Sequence, residues 1–302
     1  MTALAKTKKS NAIKPSTGRR IFTAFNYIFC VGIGILCLIP VLHVLAISFS
    51  SKLEVMSDHV GLWPRGFTTE NYGYVTRDSQ FFRSYGVTFL RAILGWSISL
   101  FLTVLAAYPL SQRESSFPAR KFIVVYFMIA MVFSGGMIPT YLVVSGVGLI
   151  DTIWALVLPG AVGIYHVILM MNFMKALPDS LQESAFIDGA NHFTVLIRII
   201  LPLCLPSLAT ISLFIVMGHW NAWFDGAIYI RNPELKPLQT YLRSFIIHES
   251  VDISNIEDAE DMISADAANG AKIFLAMLPI LCVYPFLQKY FAKGIVRGSV
   301  KE

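Results

Sequence analysis

The sequence predicts an all-α polytopic membrane protein with six transmembrane helices, and two observations predict it. Of its 302 residues, 55% are hydrophobic and 14% charged, with a mean hydropathy of +0.62. A soluble domain carries roughly 25% charged residues, so this chain has too little charge to solvate a water-facing surface, and much of it must face lipid. The second observation is arrangement: the uncharged residues gather into runs of about 20, the length of a bilayer-spanning helix. Together these exclude a cytoplasmic enzyme, a disordered protein and a disulfide scaffold. The four cysteines, Cys30, Cys37, Cys204 and Cys282, sit inside apolar runs and read as small buried hydrophobes rather than as a metal or redox site.

Residues 1–20 form a basic N-terminal segment. Residues 21–51 are the first span; the run is too long for a cleavable signal peptide, and no small-residue cleavage pattern follows it. Residues 52–84 form an outer loop with Trp63, Pro64, Tyr72, Tyr74, Phe81 and Phe82. A core of five further helices occupies 85–291. Uncharged runs at 92–112, 122–150, 152–174 and 199–224 supply four of them. The last run, 273–288, has only sixteen uncharged residues, and Lys272 and Lys289 extend it by snorkelling from its ends. A second outer loop, 231–271, carries the acidic residues Glu249, Asp252, Glu257, Asp258, Glu260, Asp261 and Asp266. Loops of this length are a solvated excursion or a contact surface for an outer partner. Residues 292–302 form a basic tail.

Orientation follows from the basic residues. With the N-terminus inside, the inner segments hold 15 Lys/Arg and five acids, and the outer segments nine and fourteen. Lys and Arg concentrate on the cytoplasmic side of membrane proteins, so both termini are expected there. The sequence pI of about 9.0 then reflects topology and requires no nucleic acid.

One cytoplasmic segment, within 176–201 between the fourth and fifth spans, is the most informative: Leu177-Pro-Asp-Ser-Leu-Gln-Glu-Ser-Ala-Phe-Ile-Asp-Gly-Ala190. Pro178 cannot extend the preceding span. Asp179 or Ser180 can cap a new helix, and Ser180 with Glu183 fits a capping box. Gly189 suits the left-handed position at its end. Leu181, Ala185 and Asp188 lie at helical spacing on one side, with Leu177 and Phe186 adding apolar surface nearby. A short cytosolic helix with an apolar stripe must dock on its own chain or on a partner.

These residues resemble a known family. Glu183-Ser184-Ala185, Gly189 four residues after Ala185, and Ile199-x-Leu201-Pro202 match the EAA…G…I-x-L-P loop of binding-protein-dependent ABC importer permeases. Asp188-Gly189-Ala190 and Pro206 are similar to the sugar branch of that family. So are Phe133-Ser-Gly-Gly-Met-Ile-Pro-Thr-Tyr141, Ala155-Leu-Val-Leu-Pro-Gly160, Gly218-His-Trp-Asn221 and Lys293-Gly-Ile-Val-Arg-Gly-Ser-Val-Lys301. The chain resembles permeases for complex oligosaccharides and, more distantly, the smaller permease of the maltose importer. Ser184 departs from the alanine usual in the family; it is small enough for close docking to survive.

The resemblance implies a type I ABC importer permease fold, in the bacterial cytoplasmic (inner) membrane. It implies a coupling helix seated in a cleft of a cytoplasmic ATPase, with Leu181, Glu183, Ser184, Ala185, Asp188, Gly189 and Ala190 at the contact. Glu183 either offers its carboxylate to the ATPase or caps its own helix. The implied partners are a second homologous permease, two ATPase subunits, an extracytoplasmic solute-binding protein, an oligosaccharide and the lipid bilayer. ATP and Mg would be bound by the partner ATPase and no cofactor by this chain, which is then non-catalytic. In agreement, no G-x-x-x-x-G-K-[ST] phosphate-binding loop occurs in it. The acidic outer loop resembles the segment that, in the maltose system, reaches the binding protein's sugar cleft. The tail residues Lys293, Arg297 and Lys301 either reach the ATPases or lie on the membrane surface.

For the cargo, the cluster His219-Trp220-Asn221-Ala222-Trp223-Phe224-Asp225 has suitable chemistry, because sugars offer C–H faces to aromatic rings and hydroxyls to amides and carboxylates. An interfacial aromatic belt accounts for it equally simply. Bends or close packing are expected at Gly135, Gly136, Pro139, Pro159, Gly160, Pro202, Pro206, Pro279 and Pro285. The competing class is an ion-coupled secondary transporter or channel, which needs ionisable residues at membrane depth. Asp151, Asp225 and Arg91 fall between spans or near their rims, while His43, His166 and His219 read as hydrogen-bonded packing residues rather than a proton relay. No Ser/His/Asp or metal-spaced group supports a membrane enzyme.

Overall fold

The computed structural model describes residues 16–248 and 268–283, and among them all regular structure is helical. Helix α1 (Thr17–Ser48) leaves its most apolar stretch unburied and joins the rest by its last turns. There the buried Asn71 side chain donates to the carbonyls of Ser48 (3.1 Å) and Ser50 (2.9 Å). Asn71 lies on α3 (Glu70–Arg77), which follows the short α2 (Lys52–Met56).

Helix α4 (Ser79–Ser111) is capped by Asp78, whose carboxylate accepts from the Phe81 amide at 3.0 Å. Its 33 residues span about 50 Å at 1.5 Å per residue. It begins well before the uncharged run at 92, because Arg83 and Arg91 interrupt the run but not the helix: Glu234 pairs with the first and Asp225 with the second.

The apolar runs at 122–150 and 152–174 are not continuous helices. The first breaks between α5 (Arg120–Val132) and α6 (Met137–Gly146) with a bend of 111°. Gly136 turns the chain at φ +86, a backbone state closed to residues with a Cβ. The second has a single turn of 3-10 helix, Ile153–Leu156, then Pro159 and Gly160, then α7 (Ile164–Lys175). Twelve residues of α7 reach only about 18 Å, short of a roughly 30 Å hydrocarbon layer.

Next come α8 (Asp179–Ile187), α9 (His192–Val195), a π-turn over Leu196–Ile200, α10 (Leu201–Leu203) and α11 (Leu205–Asn221). Pro202 lacks the amide that would continue the helical ladder, and the turn before it widens. With Pro206 it sets an 83° bend between the His192–Leu203 and Leu205–Asn221 stretches. The remaining described helices are α12 (Phe224–Tyr229), α13 (Leu238–His248) and α14 (Ala268–Val283). By length and composition, two described helices can cross a membrane alone, and up to four if each bent pair counts as one.

α4 packs chiefly on α11 and α7. Its buried face carries Gly95, Ser99, Thr103 and Ala107 at four-residue spacing. A Cβ on Gly95 would collide with the ring of His219 on α11. Small residues permit this approach, the usual basis of helix association in lipid. One core cluster includes Ala107, Tyr108, Met170, Ala185, Ile200 and Ile211; a second, toward the start of α4, includes Val75, Phe81, Trp220, Leu238 and Ala276.

Two further expectations are corrected. Only Cys204 is buried, whereas Cys30, Cys37 and Cys282 lie on surfaces their own chain does not cover. Lys272 does not snorkel outward: it is buried, 2.6 Å from Asp78. Burial works against the Asp78 carboxylate, but hydrogen bonds from Lys272, Tyr241 and the Phe81 amide outweigh it and hold the group below its ordinary range. Lys289, Pro285, the acidic stretch from Glu249 to Asp266 and the basic tail lie outside the described residues.

Asp151, expected only as a loop residue, is a clasp. It adopts φ +61, which aspartate tolerates better than most residues. Its amide donates to the Tyr229 carbonyl at 3.0 Å, and its carboxylate accepts from the Arg231 (2.5 Å) and Asn232 (2.8 Å) amides. Those amides, Asn232 first, hold its carboxyl below the ordinary range. The stability it contributes is therefore complete above the ordinary aspartate pKa and disappears as pH falls through the depressed value. Asp151→Asn is expected to lower the unfolding temperature of the detergent-solubilised protein at neutral pH, with the deficit vanishing once the wild-type carboxyl is protonated. An equal deficit at both pH values would show that the carboxylate charge is not what holds the clasp.

Candidate functional site

At the C-terminal end of α4 the chain builds a platform for α8. Arg113 lies two residues past α4 and reaches both acids on one side of α8. Its Nε donates to Asp179 Oδ2 at 3.0 Å and its Nη1 to Glu183 Oε1 at 2.9 Å. The hydrogen bond to Asp179, then the charges of Asp179 and Glu183, raise the Arg113 pKa above its ordinary value. All three groups are exposed, so the triad adds little stability; it fixes the azimuth of α8. Gln112 Nε2 adds a bond to Gln182 Oε1 at 3.1 Å, and Tyr108 Oη meets His192 Nδ1 at 3.1 Å beyond the loop.

This corrects the expected capping box. The N-cap position is Pro178, which offers no side-chain acceptor, and Ser180 falls inside the helix. Arg113 engages the carboxylate of Glu183 that would have folded back. The other end is as expected. Gly189 sits at φ +81, its amide donates to Phe186 O at 3.1 Å, and the Ala190 amide donates to Ala185 O at 2.9 Å. That bond pair is a Schellman closure, and it requires the left-handed residue.

α8 has an inner and an outer side. Ala185, 9% exposed, belongs to the core cluster of its own chain and so seats the helix. Leu181, Glu183, Ser184, Asp188 and Gly189 are exposed, and Ala190 is half-buried. Ile187, absent from the sequence expectation, is 86% exposed. It stands two positions from Ala185 and so about 200° around the helix. That offset was available in the sequence; the contact with Arg113 was not, since it joins residues 66 and 70 positions apart.

A second site lies along the middle of α4. A cavity of about 390 Å3 is lined by Arg91, Ser99, His166, Phe214, His219 and Asp225, among others. Arg91, placed at a rim by the sequence reading, has a side chain only 3% exposed. Its guanidinium engages both oxygens of Asp225 and donates to the Ala222 carbonyl at 3.2 Å. Charges of this kind survive at membrane depth only when paired. His219 shares the cavity, and its Nδ1 has no partner among the described residues, as is also true of Ser99 Oγ and Arg91 Nε. The expected hydrogen-bonded packing role thus holds for His43, whose Nδ1 meets Gly61 O at 2.9 Å, and fails for His219 Nδ1.

The aromatic cluster divides. His219 and Asp225 face the cavity. Trp220 turns away into the core, edge-on to Tyr85 and Phe89, with its Nε1 donating to Ala276 O at 3.3 Å. Asn221 is exposed, and Trp223 lies under the Arg243 guanidinium, 3.6 Å from its ring centroid. Among the described residues no group of His, Cys, Asp and Glu is arranged to hold a metal. Asp225→Ala leaves the Arg91 guanidinium buried and unpaired, at a cost of about 3–5 kcal/mol. The unfolding temperature should fall sharply, and Arg91→Met added to Asp225→Ala should recover much of the loss. A single variant as stable as wild type would remove the pair from the account of the fold.

No family model matches the chain. Relatives are clear. The protein LplC of Bacillus subtilis (strain 168) is 40% identical over 283 residues, covering 93% of this chain and 95% of the relative. The polygalacturonan/rhamnogalacturonan transport system permease protein YtcP of the same organism is 38% identical over 285 residues, covering 93% and 99%. Among solved structures, a chain of a bacterial ABC transporter involved in the import of the acidic polysaccharide alginate superposes with a TM-score of 0.83 at 31% identity, covering 93% of this chain and all of that one. Relatives of this similarity and coverage, together with the α8 loop, establish that the chain belongs to the family of ABC transporter sugar permeases.

Proposed function

We propose that this chain is a non-catalytic subunit of an oligosaccharide importer in which ATP closure by partner ATPases is converted into alternating access through α8. The observation that carries the reading is the attachment of α8: Arg113 and Ala185 fix it to the end of α4, while Ile187, Leu181 and Ser184 remain outward. An apolar residue as exposed as Ile187 on a short helix needs a covering partner, and two ATPase copies, one beneath each permease of a heterodimer, supply it. In this reading Glu183 serves Arg113, and Ser184, Asp188 and Gly189 meet the ATPase. Motion of α8 is passed to α4, a single helix that also carries Arg91 and Ser99 of the cavity, so a rigid-body shift at one site moves the other.

The cavity is the proposed pathway segment, with His219, Asp225 and Arg91 as its polar lining. Six spans with both termini cytoplasmic remain the proposed topology; the bent pairs and the short α7 supply the spans that are not straight. A solute-binding protein delivers cargo at the end bearing the start of α4. The carbohydrate named for YtcP and the alginate named for the structural relative support an oligosaccharide as cargo.

Gly189→Pro cannot adopt φ +81 and loses the amide bond to Phe186. It is expected to abolish uptake while sugar capture by the binding protein is intact; normal uptake would defeat the coupling role. Ile187→Asp touches no core contact and should leave membrane insertion and thermal stability unchanged. It is expected to release the ATPase from the purified complex, and full retention of ATPase and uptake would show that α8 docks elsewhere.

A further inference from the structure

The outer half of the molecule holds a second, smaller cavity of about 260 Å3, lined by Trp223, Arg231, Lys236, Thr240 and Arg243 among others. It is firmly built. Thr240 Oγ1 donates to the Trp223 carbonyl at 2.7 Å. Gly226 lets α12 close on Thr240 and Pro237, where a Cβ would collide. The Arg243 guanidinium lies over the Trp223 ring, 3.6 Å from its centroid, and both residues line the cavity. Trp223 is therefore a positioning residue for Arg243, and that ring face is not open to a sugar.

The charge of this cavity is unusual for its side of the protein. Outer segments hold nine Lys/Arg against fourteen acids, yet three of those nine cations meet around one small cavity whose lining includes no acid. Three other cations on this side are paired, Arg83 with Glu234, Arg91 with Asp225 and Lys272 with Asp78. No ion pair involves Arg231, Lys236 or Arg243 among the described residues; Arg231 lends part of its field to Asp151, whose carboxylate is engaged by backbone amides. Converging like charges disfavour one another unless an anion joins them. A planar guanidinium held rigid beside an ammonium matches a carboxylate, since guanidinium donors pair with both its oxygens.

We infer that this cavity is a subsite for a carboxylate-bearing sugar, a uronate residue of the incoming oligosaccharide. The inference rests on the oligosaccharide-importer reading above and specifies its cargo as acidic. Lys236 and Arg243 neutralise the carboxylate as the chain passes, and Arg231 adds long-range attraction.

The test uses the assembled importer, with partner permease, ATPases and binding protein, in proteoliposomes. Uptake is measured for short oligogalacturonates and for the same oligomers fully methyl-esterified, which removes the charge and keeps the sugar. The double variant Lys236→Gln, Arg243→Gln is expected to raise the KM for the acid form by about tenfold or more, the order expected for losing charge-assisted hydrogen bonds, and to leave ester uptake at its wild-type level. Lys236→Gln alone, outside the Trp223 stack, should show the same selectivity more weakly should the double variant assemble poorly. Equal losses for acid and ester would assign the cavity to docking of the binding protein or to the fold, and overturn the inference. Unchanged kinetics for both forms would also overturn it. A wild-type complex that moves no carbohydrate at all would instead defeat the importer reading itself, so the two failures are distinguishable.

Discussion

A helix in lipid gains no hydrophobic advantage by leaving lipid for another helix, so close backbone approach and buried polar pairs must hold the bundle together. α4 has both. Gly95, Ser99, Thr103 and Ala107 present a face without bulk to α11 and α7, and Arg91 reaches from the same helix to Asp225 beyond α11. Each device needs the other. The small residues bring the helices near enough for the guanidinium to meet the carboxylate, and the paired charge tolerates burial that an isolated one would not. Every feature with functional content is placed relative to this one helix: α8 at its C-terminal end, the larger cavity at its middle, and the capped start where Asp78 gathers Tyr241 and Lys272.

The platform for α8 shows how weak contacts can fix a direction. The Arg113 triad is solvent-exposed and contributes little energy, and a single inward alanine buries little area. Their value is geometric. Two carboxylates one turn apart on α8, joined to one guanidinium, leave a short helix little freedom to rotate. The Schellman closure at Gly189 then returns the chain toward α9 in a fixed direction, where Phe186 packs edge-on to His192 at 4.8 Å. The proposed coupling role needs a helix stiff at its attachment and accessible on its far side; α8 is attached through Arg113 and Ala185 and accessible through Ile187.

Much of this was legible in the sequence, and the remainder was hidden for identifiable reasons. The loop helix, its proline start and its left-handed glycine follow from local rules, and they appear over Asp179–Ile187 with Gly189 at positive φ. The failures are places where a distant residue wins over a local preference. Glu183 suits a capping box until Arg113 competes for it. Charge-free runs locate lipid exposure but not helix ends, so a run broken at Gly136 and a helix extended through Arg91 both escape them. Arg91 and Asp225 look like rim residues singly, and only their pairing across 134 positions makes burial affordable. Conversely, the four-residue spacing of small residues along α4 was present in the sequence and marks the packed face directly.

Under the proposed function, the two cavities divide the work of a carbohydrate path along lines set by their chemistry. The larger one holds its strongest charges already neutralised against each other, while Ser99 Oγ, His219 Nδ1 and Arg91 Nε have no partner among the described residues. Such a lining carries no uncompensated charge to trap an anion. Passage requires binding that is favourable enough to enter and weak enough to leave, and a lining of this kind satisfies both conditions for a polyhydroxylated chain. Uncompensated cations at the same depth would hold a carboxylate too firmly and would themselves be costly in lipid. Charge recognition therefore belongs nearer the surface, where water screens it and release is fast, and the proposed topology puts the smaller cavity with Arg231, Lys236 and Arg243 at the outer end. In the proposed topology, selection by charge comes first and passage along a lining without uncompensated charge follows.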